Sequence, residues 1–345
     1  MTRVSRDSPQ VSVVLPARNA ARTVAKALRS VLGQTFTDFE VVAIDDGSTD
    51  ETGQVLAQHA ASDDRVRVLT TPGLGLVGAL NLGLREAKGP LLARMDADDE
   101  SLPTRFERSV EALSDLALTG VGTGVDIVRD DRPPSPNLQL YGAWLSSLTT
   151  CERLFDNRFI ESPLCHPSVM LRTAALRQAG GWRDGDFPED WELWLRLLES
   201  GHRLRCLTQV LHRWVDHERR LTRTDGRYET NRHLALKADV LARRFEGQVL
   251  CVWGAGDIGV KLTRALVERG LQITRLVDVN PRKIGQRIHG ARVVMPDDLG
   301  SPPGAHFSAG EHLLSAVGAK GARAEIRAWL ESRGWVEGAH FTCVA

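Results

Sequence analysis

Short apolar runs alternate with amphipathic stretches through the first part of the chain. The strand candidates are VSVVLPA at 11–17, EVVAIDD at 40–46, VRVLTT at 66–71 and LLARM at 91–95. Between them, apolar residues recur at helical spacing, as Val24, Leu28 and Val31 do. This βαβα series predicts a mostly parallel sheet with helices on both of its faces.

A second series of strands begins near residue 246. Its candidates are QVLCVW at 248–253, LQITRLVDVN at 271–280, ARVVM at 291–295 and HLLSAV at 312–317. The proline-rich stretch 129–137 predicts a surface loop, and a helical pattern covers about 229–245. We therefore predict an α/β chain with a larger domain at 1–245 and a smaller one at 246–345.

Composition excludes several classes of protein. The 345 residues contain 44 Lys+Arg and 44 Asp+Glu, so no net field favours nucleic acid as a partner. Five scattered cysteines form no metal or redox spacing and indicate reduced thiols. Residues 1–10 lack the apolar run of a secretory signal, and no window approaches the roughly 20 apolar residues of a membrane span. We predict a cytoplasmic protein, with peripheral membrane attachment left open.

Three acids follow the strand candidate at 91–95. Alternate residues of an extended segment project to the same side, so Asp96 and Asp98 can approach one cation, with Asp99 beside them. Mg²⁺ and Mn²⁺ prefer such oxygen ligands. The alternative is a solvated turn and helix cap leading into Pro103.

Another acidic pair, Asp45 and Asp46, ends the strand candidate at 40–46. Gly47 supplies a turn after it, and Ser48 or Asp50 can cap the next helix, with capping as the favoured role of Asp50. In open α/β sheets, ligands collect beyond the carboxyl ends of the strands. We therefore favour a ligand role for Asp46, with an Asx turn as the alternative.

Three motifs in this order carry a family resemblance. Residues 11–52, residues 75–99, which end in ARMDADD, and FPEDWELWLRLLESG at 187–201 together resemble the family 2 glycosyltransferases of the GT-A fold. The resemblance covers roughly residues 10–220. It implies a nucleotide-sugar donor, a divalent metal and inversion at the anomeric carbon.

The resemblance also assigns roles to residues. The nucleotide-side residues that we predict are Pro16, Ala17, Arg18, Asp45, Asp46, Arg94 and Asp96. The predicted metal ligands are Asp96, Asp98, Asp99 and His217. The metal would neutralise the diphosphate leaving group as the glycosidic bond breaks.

The motif EDW supplies the candidate catalytic residues. Inverting transfer needs a general base for the acceptor hydroxyl, and the resemblance points to Asp190, supported by Glu189. Acids that decorate a helix N-terminus are the alternative. Trp191 is a candidate wall for the acceptor sugar, whereas Trp194 is expected to pack in the core.

Further polar candidates lie in two segments, SPLCHPSVMLR and HRWVDHERRLTR. They are His166, His212, Arg213, His217 and Arg220, and the resemblance favours only His217. A lone histidine is more often structural than a ligand. The segment from about 216 to 227 is either a loop that closes over the donor or a solvated linker.

The glycine-rich turn GAGDIG at 254–259 fits G-x-G-x-x-G between a strand and a helix. Gly254, Gly256 and Gly259, with Asp278 about 20 residues on, predict a Rossmann-like fold and a candidate NAD(P) site. This unit of about 100 residues lacks the second half of a full dehydrogenase. A structural, regulatory or oligomerising role is therefore favoured over cofactor binding.

Together these patterns favour an inverting, metal-assisted glycosyltransferase, with a UDP-sugar as the simplest donor. The acceptor can be a carbohydrate, a lipid-linked carrier or a protein, and a homo-oligomer is left open. One rival function is an NAD(P)-dependent oxidoreductase or epimerase centred on the C-terminal domain. The other is a nucleotide-sugar sensor without turnover.

Overall fold

The computed structural model describes residues 8–300, 302 and 311–345. Most of the N-terminal stretch considered above for a leader, residues 1–7, lies outside this range. Two compact units divide the chain. The first comprises the described residues up to Phe155 together with Ser162–Gly185 and Glu189–Asp225, and the second comprises Asp156–Glu161, Asp186–Pro188 and the described residues from Gly226 onward.

The predicted domain boundary near residue 246 lies in the connection between the helix Thr230–Arg244 and the strand Val249–Trp253. The helix Thr230–Arg244 belongs to the second compact unit, so that unit includes residues before the predicted boundary.

Strands and helices alternate in the first unit. Its strands are β1 (Val11–Ala17), β2 (Phe39–Asp46), β3 (Val66–Thr71), β4 (Leu91–Arg94), β5 (Glu100–Ser101), β6 (Gly120–Val128), β7 (Met170–Arg172) and β8 (Leu204–Val215). Its helices are α1 (Val24–Leu32), α2 (Thr52–Ser62), α3 (Gly75–Glu86), α4 (Arg105–Ala112), α5 (Pro136–Ser147), α6 (Cys151–Asn157), α7 (Thr173–Gln178), α8 (Glu189–Glu199) and α9 (Leu221–Thr224).

The eight strands form one mixed sheet in the order β3-β2-β1-β4-β7-β6-β8-β5. The pairs among β3, β2, β1 and β4 are parallel, as the pattern predicts. β7 runs antiparallel to β4 and β6, while β6 and β8 are parallel. Because β1, β2 and β4 are parallel neighbours, their carboxyl ends lie at one edge.

Helices cover both faces of this sheet. Leu28 of α1 packs with Val13 on one face, and Leu80 of α3 packs with Val14 on the other. A Cβ at Gly83 would lie 2.3 Å from a methyl carbon of Val14, so glycine allows α3 to approach β1 closely. Each such buried leucine stabilises the fold by about 1.5–3 kcal/mol. The predicted fold class is confirmed.

A smaller sheet dominates the second unit. The strands of this sheet are β9 (Val249–Trp253), β10 (Gln272–Val277), β11 (Arg287–Ile288), β12 (Ala291–Val294), β13 (His312–Ser315) and β14 (Phe341–Cys343). The helices of the second unit are α10 (Thr230–Arg244), α11 (Asp257–Val267) and α12 (Ala322–Glu331). The order is β11-β12-β10-β9-β13-β14, with all neighbours parallel except β11 and β12.

Within the described ranges, no helix is long and apolar enough to cross a membrane.

Candidate functional site

The edge formed by β1, β2 and β4 brings the predicted nucleotide-side residues together. Ala17 at the end of β1 is in register with Asp45 of β2, and Val14 is in register with Arg94 of β4. Arg18, the next residue after β1, is exposed, and its guanidinium lies near Gly73 beyond β3. The carboxyl ends of three strands that are neighbours in the sheet, β2, β1 and β4, therefore lie at one edge.

The turn after β2 has the predicted glycine geometry. Gly47 has φ +69°, and a Cβ there would come within 2.9 Å of the Gly73 nitrogen. The Asp45 carboxylate accepts the Ser48 N–H at 3.2 Å, which is the local turn contact expected of Asx residues. Asp50 accepts the Thr52 N–H at 3.0 Å, but it lies one residue before Glu51, the N-cap of α2, so it contacts the first turn without occupying the predicted cap position.

The buried Asp46 carboxylate accepts hydrogen bonds from groups between β3 and α3. Its Oδ1 accepts the Leu74 N–H at 2.6 Å and the Thr71 hydroxyl, and its Oδ2 accepts the Gly75 N–H at 2.9 Å. With three donors and only 3% exposure, the carboxylate satisfies amides at the start of α3. Asp46 thus fixes the turn between β3 and α3 beside the other strand ends.

The acids after β4 form a cluster. One oxygen each from Asp96, Asp98 and Asp99 lies within 4.8 Å of the others. Oxygen atoms that converge in this way suit a hard divalent cation. The donor set therefore fits Mg²⁺ or Mn²⁺.

Asp99 differs from the other two acids. It is 1% exposed, and its oxygens accept hydrogen bonds from the Val215 N–H at 2.9 Å and from Arg220 at 2.9 Å, while His212 Nε2 lies at 3.0 Å. Burial alone would raise the pKa of Asp99, but the charge of Arg220 and the contact with His212 hold that pKa well below its usual range. Asp99 therefore joins β8 to the acidic cluster.

Cations surround Asp96 and Asp98. Arg94 forms a buried ion pair with Asp96, and Arg220 lies 3.3 Å from Asp96. His217 Nε2 lies 2.8 Å from Asp98 Oδ2, so the residue that the resemblance favours does lie at the cluster. Burial disfavours a charged Arg220, but the three carboxylates raise its pKa.

A second ionic group, which sequence reasoning missed, lies beside this cluster. Arg129 contacts Asp216 at 2.8 Å and Glu218 at 2.9 Å, and Arg223 also contacts Asp216 at 2.8 Å. Asp216 and Glu218 flank His217 in the chain, so these pairs hold the segment that bears it. Sequence separation hides this contact, because Arg129 and Asp216 are 87 residues apart.

The other predicted polar residues have structural contacts. Arg213 pairs with Glu100 at 3.4 Å and Asp126 at 3.5 Å. His212 is fully buried against Asp99, and burial lowers its pKa. Arg213 therefore pairs with acids outside the acidic cluster, whereas His212 contacts the cluster through Asp99.

The candidate base lies on α8, which begins at Glu189 as the EDW motif predicts. Glu189 is 2% exposed, whereas Asp190 is partly exposed and accepts a hydrogen bond from the Ser162 hydroxyl at 2.9 Å. Trp194 is buried, which confirms its packing role. Trp191 is only 1% exposed, so the prediction that it faces an acceptor sugar is wrong for this structure.

The glycine-rich turn of the second unit has the close contacts that its glycines permit. Gly254 has φ +127°, and a Cβ at Gly259 would lie 1.8 Å from the Gly254 carbonyl oxygen. Asp278 Oδ2 accepts from the Ala255 N–H at 3.0 Å and from Lys283 at 3.0 Å. Within the second unit, the acid proposed for a ribose is thus already engaged.

Comparison with known proteins defines the class of this chain. Residues 12–180 match the model named glycosyl transferase family 2. EpsE of Bacillus subtilis (strain 168), which is named a glycosyltransferase, is 32% identical over 220 residues, covering 59% of this chain and 72% of EpsE. The O-antigen biosynthesis glycosyltransferase WbnJ of Escherichia coli is 28% identical over 198 residues, 56% of this chain and 74% of WbnJ. The chain belongs to glycosyl transferase family 2.

Solved structures agree in fold. TarS 1–349 of S. aureus in complex with UDP-GlcNAc has a TM-score of 0.50 and 17% identity, covering 75% of this chain and 80% of TarS 1–349. The mannosyltransferase PcManGT of Pyrobaculum calidifontis, in complex with GDP-Man and Mn²⁺, has a TM-score of 0.50 and 18% identity, covering 76% and 70%. These similarities show the α/β fold of the GT-A type.

Proposed function

We propose that this protein is an inverting glycosyltransferase that moves a sugar from a nucleoside-diphosphate donor to an acceptor hydroxyl with the help of a divalent cation. The observation that carries the proposal is the convergence of Asp96, Asp98 and His217 at the end of β4. Arg94 connects this cluster to the candidate base motif: burial disfavours its charge, but the carboxylate of Asp96, with which it pairs, and that of Glu189 raise its pKa.

In this proposal Asp96, Asp98 and His217 hold Mg²⁺ or Mn²⁺, and the cation supplies positive charge to the departing diphosphate. Asp99 was also predicted as a ligand. Because its oxygens already accept from Val215, Arg220 and His212, we propose that it mainly supports the cluster from behind.

The nucleotide is proposed to bind over the ends of β1 and β2. Pro16, Ala17 and Arg18 line this edge, and the exposed Arg18 guanidinium suits an anionic or aromatic ligand. Asp45 and Asp46 hold the turns that shape the edge. A UDP-sugar is our first choice of donor.

Asp190 is the proposed general base. A single displacement with inversion needs one carboxylate to take the acceptor proton, and Asp190 is the more accessible acid of the EDW motif. The Ser162 hydroxyl, 2.9 Å away, orients its carboxylate. We propose a hydroxyl on a carbohydrate, a lipid-linked carrier or a protein as the acceptor.

The solved relatives support the donor class. TarS binds UDP-GlcNAc and PcManGT binds GDP-Man with Mn²⁺, and both have the fold described above. Because one carries uridine and the other guanosine, they support a nucleotide-sugar donor in general and leave the choice of base to experiment.

For the second unit we propose a Rossmann-like accessory domain. Its parallel strands and its turn at Gly254, Gly256 and Gly259 support that fold. The contacts of Asp278 with Ala255 and Lys283 favour a structural role over NAD(P) binding.

Calorimetric titration tests this proposal. UDP, GDP, TDP and NAD are titrated with and without Mn²⁺ into the wild type, into Asp98→Ala and into Asp64→Ala, an exposed control. We expect Mn²⁺-dependent binding of one nucleoside diphosphate, weakened roughly 100-fold in Asp98→Ala and unchanged in the control. Binding of NAD alone, independent of the cation, would contradict the proposal.

A further inference from the structure

His166 lies in a buried polar group that the proposed mechanism has not yet used. It begins a short 3₁₀ turn, His166–Ser168, and is 7% exposed. The Trp182 Nε1 lies 2.9 Å from His166 Nε2, and His166 Nδ1 lies 3.6 Å from Glu189 Oε1. Trp182 and Glu189 are each 2% exposed, so both contacts are shielded from water.

The indole N–H determines the tautomer of this histidine. Trp182 Nε1 can only donate, so His166 Nε2 must accept and carries no proton. The single proton of the neutral ring is then on Nδ1, the atom that faces Glu189. The N–H dipole therefore points at the carboxylate of the candidate base motif.

The surroundings keep His166 neutral. Burial lowers its pKa, and the nearby charge of Arg94 lowers it further, although Glu189 acts in the opposite direction. Protonation would also place a hydrogen on Nε2 against the Trp182 N–H. Trp182 thus fixes one tautomer in one orientation.

We propose that His166 is a positioning residue that orients the Glu189–Asp190 pair for removal of the acceptor proton. Trp182 fixes His166, His166 directs its Nδ1–H to Glu189, and Glu189 is the first residue of α8, directly before Asp190. This inference rests on the proposed function, because it assumes that Asp190 is the base.

The chain offers a matched control for Trp182. Trp194 is also buried, and its ring packs edge-on against His166 with centroids 5.8 Å apart. Its Nε1 has no hydrogen-bond partner among the described residues. Trp182→Phe and Trp194→Phe therefore remove the same atoms beside the same histidine, but only the first removes a donor to it.

The first measurement is made without substrate. Nitrogen-15 NMR of the histidine rings reports which nitrogen carries the proton. We expect the Nδ1–H tautomer of His166 in the wild type and in Trp194→Phe, and a mixture of tautomers in Trp182→Phe. A wild type with the Nε2–H tautomer would overturn the inference.

The second measurement is nucleoside-diphosphate release from UDP-GlcNAc and GDP-mannose with Mn²⁺, using water as acceptor. We expect about tenfold lower kcat in Trp182→Phe with donor KM unchanged, and kcat within about twofold of the wild type in Trp194→Phe. His166→Asn retains a donor near the position of Nδ1 and should keep several-fold more activity than His166→Leu.

Equal losses in the two tryptophan variants, or in the two His166 variants, would reduce His166 to a packing residue and overturn the inference. If Trp182→Phe does not fold, the comparison of His166→Asn with His166→Leu decides the question. A wild type that binds no nucleoside diphosphate in the Mn²⁺ titrations described above would contradict the proposed function instead, and the tautomer signal distinguishes this case because it is read without substrate.

Discussion

Replacing Asp99 with asparagine separates two roles for this acid. If Asp99 mainly supports the cluster, the change breaks its charged contacts with Arg220 and His212. If Asp99 were instead mainly a metal ligand, a bound cation would be needed to offset the repulsion between its carboxylate and those of Asp96 and Asp98. In metal-free protein, neutralising Asp99 would then relieve that repulsion and raise stability. The two roles predict opposite signs for the change in stability.

The magnitude follows from burial. Asp99 and Arg220 are 1% and 8% exposed, and removing one partner of a buried ion pair costs about 3–5 kcal/mol. Asparagine keeps one oxygen, which can still accept the Val215 N–H, so we expect a loss near the lower limit, about 3 kcal/mol. At roughly 2–4 °C per kcal/mol, Tm should fall by about 6–12 °C.

Calorimetry in EDTA measures this difference, with the exposed Asp64→Asn as control. The pKa of Asp99 is lowered in the folded protein, so its stabilising effect is complete above the unfolded value near about 4 and disappears as pH falls through the folded value. The difference in Tm between the wild type and Asp99→Asn should therefore become smaller as the pH falls. An unchanged or higher Tm for Asp99→Asn at neutral pH would refute the reasoning.

Three other outcomes are expected. Gly259→Ala places a Cβ against a backbone carbonyl and should cost about 3 kcal/mol of stability in thermal unfolding, whereas Gly256→Ala, with open space around it, should cost under about 1 kcal/mol. Burial lowers the pKa of His312 to about 4, so the stability of the protein should fall as the pH is lowered from about 6.5 toward 4. His312→Gln should make stability less dependent on pH in this range. An equally steep dependence in the variant would exclude His312 as its cause. Asp216→Asn weakens the contact with Arg129 and should reduce Mn²⁺-dependent nucleotide affinity about tenfold by calorimetry; wild-type affinity would show that the contact is dispensable.

The first half of the large sheet was predictable because its strands carry an unbroken local signal. VRVLTT forms β3 from Val66 to Thr71 as predicted, and a helix follows it as the alternating pattern predicts. The strands β6 and β8 were missed. GVGTGVDIV contains three glycines and LRCLTQVLHRWV alternates poorly, so neither has the periodicity that indicates a strand.

The site was predictable where its chemistry is local in sequence. Asp96, Asp98 and Asp99 lie within four residues of one another, so an acidic cluster was predictable, although these acids lie in the irregular segment between β4 and β5 and not on the extended segment that the prediction assumed. The partners of Asp46 and His166 could not be predicted in this way, because the Leu74 amide and the Trp182 indole come from distant segments. Which hydrogen bonds a polar side chain makes depends on packing between elements, and that packing has no short-range signature.

Hydrogen bonds join the turns that follow β1, β2 and β3, and they affect the entropy change on ligand binding. Asn19 accepts from Thr49 at 2.8 Å, the Ala20 amide donates to Thr52, and Asp46 holds the turn before α3. Backbone that is already ordered loses little conformational entropy when a ligand arrives. We therefore expect a nucleotide to meet a preorganised edge, where affinity arises from contacts and little of it is lost to loop ordering.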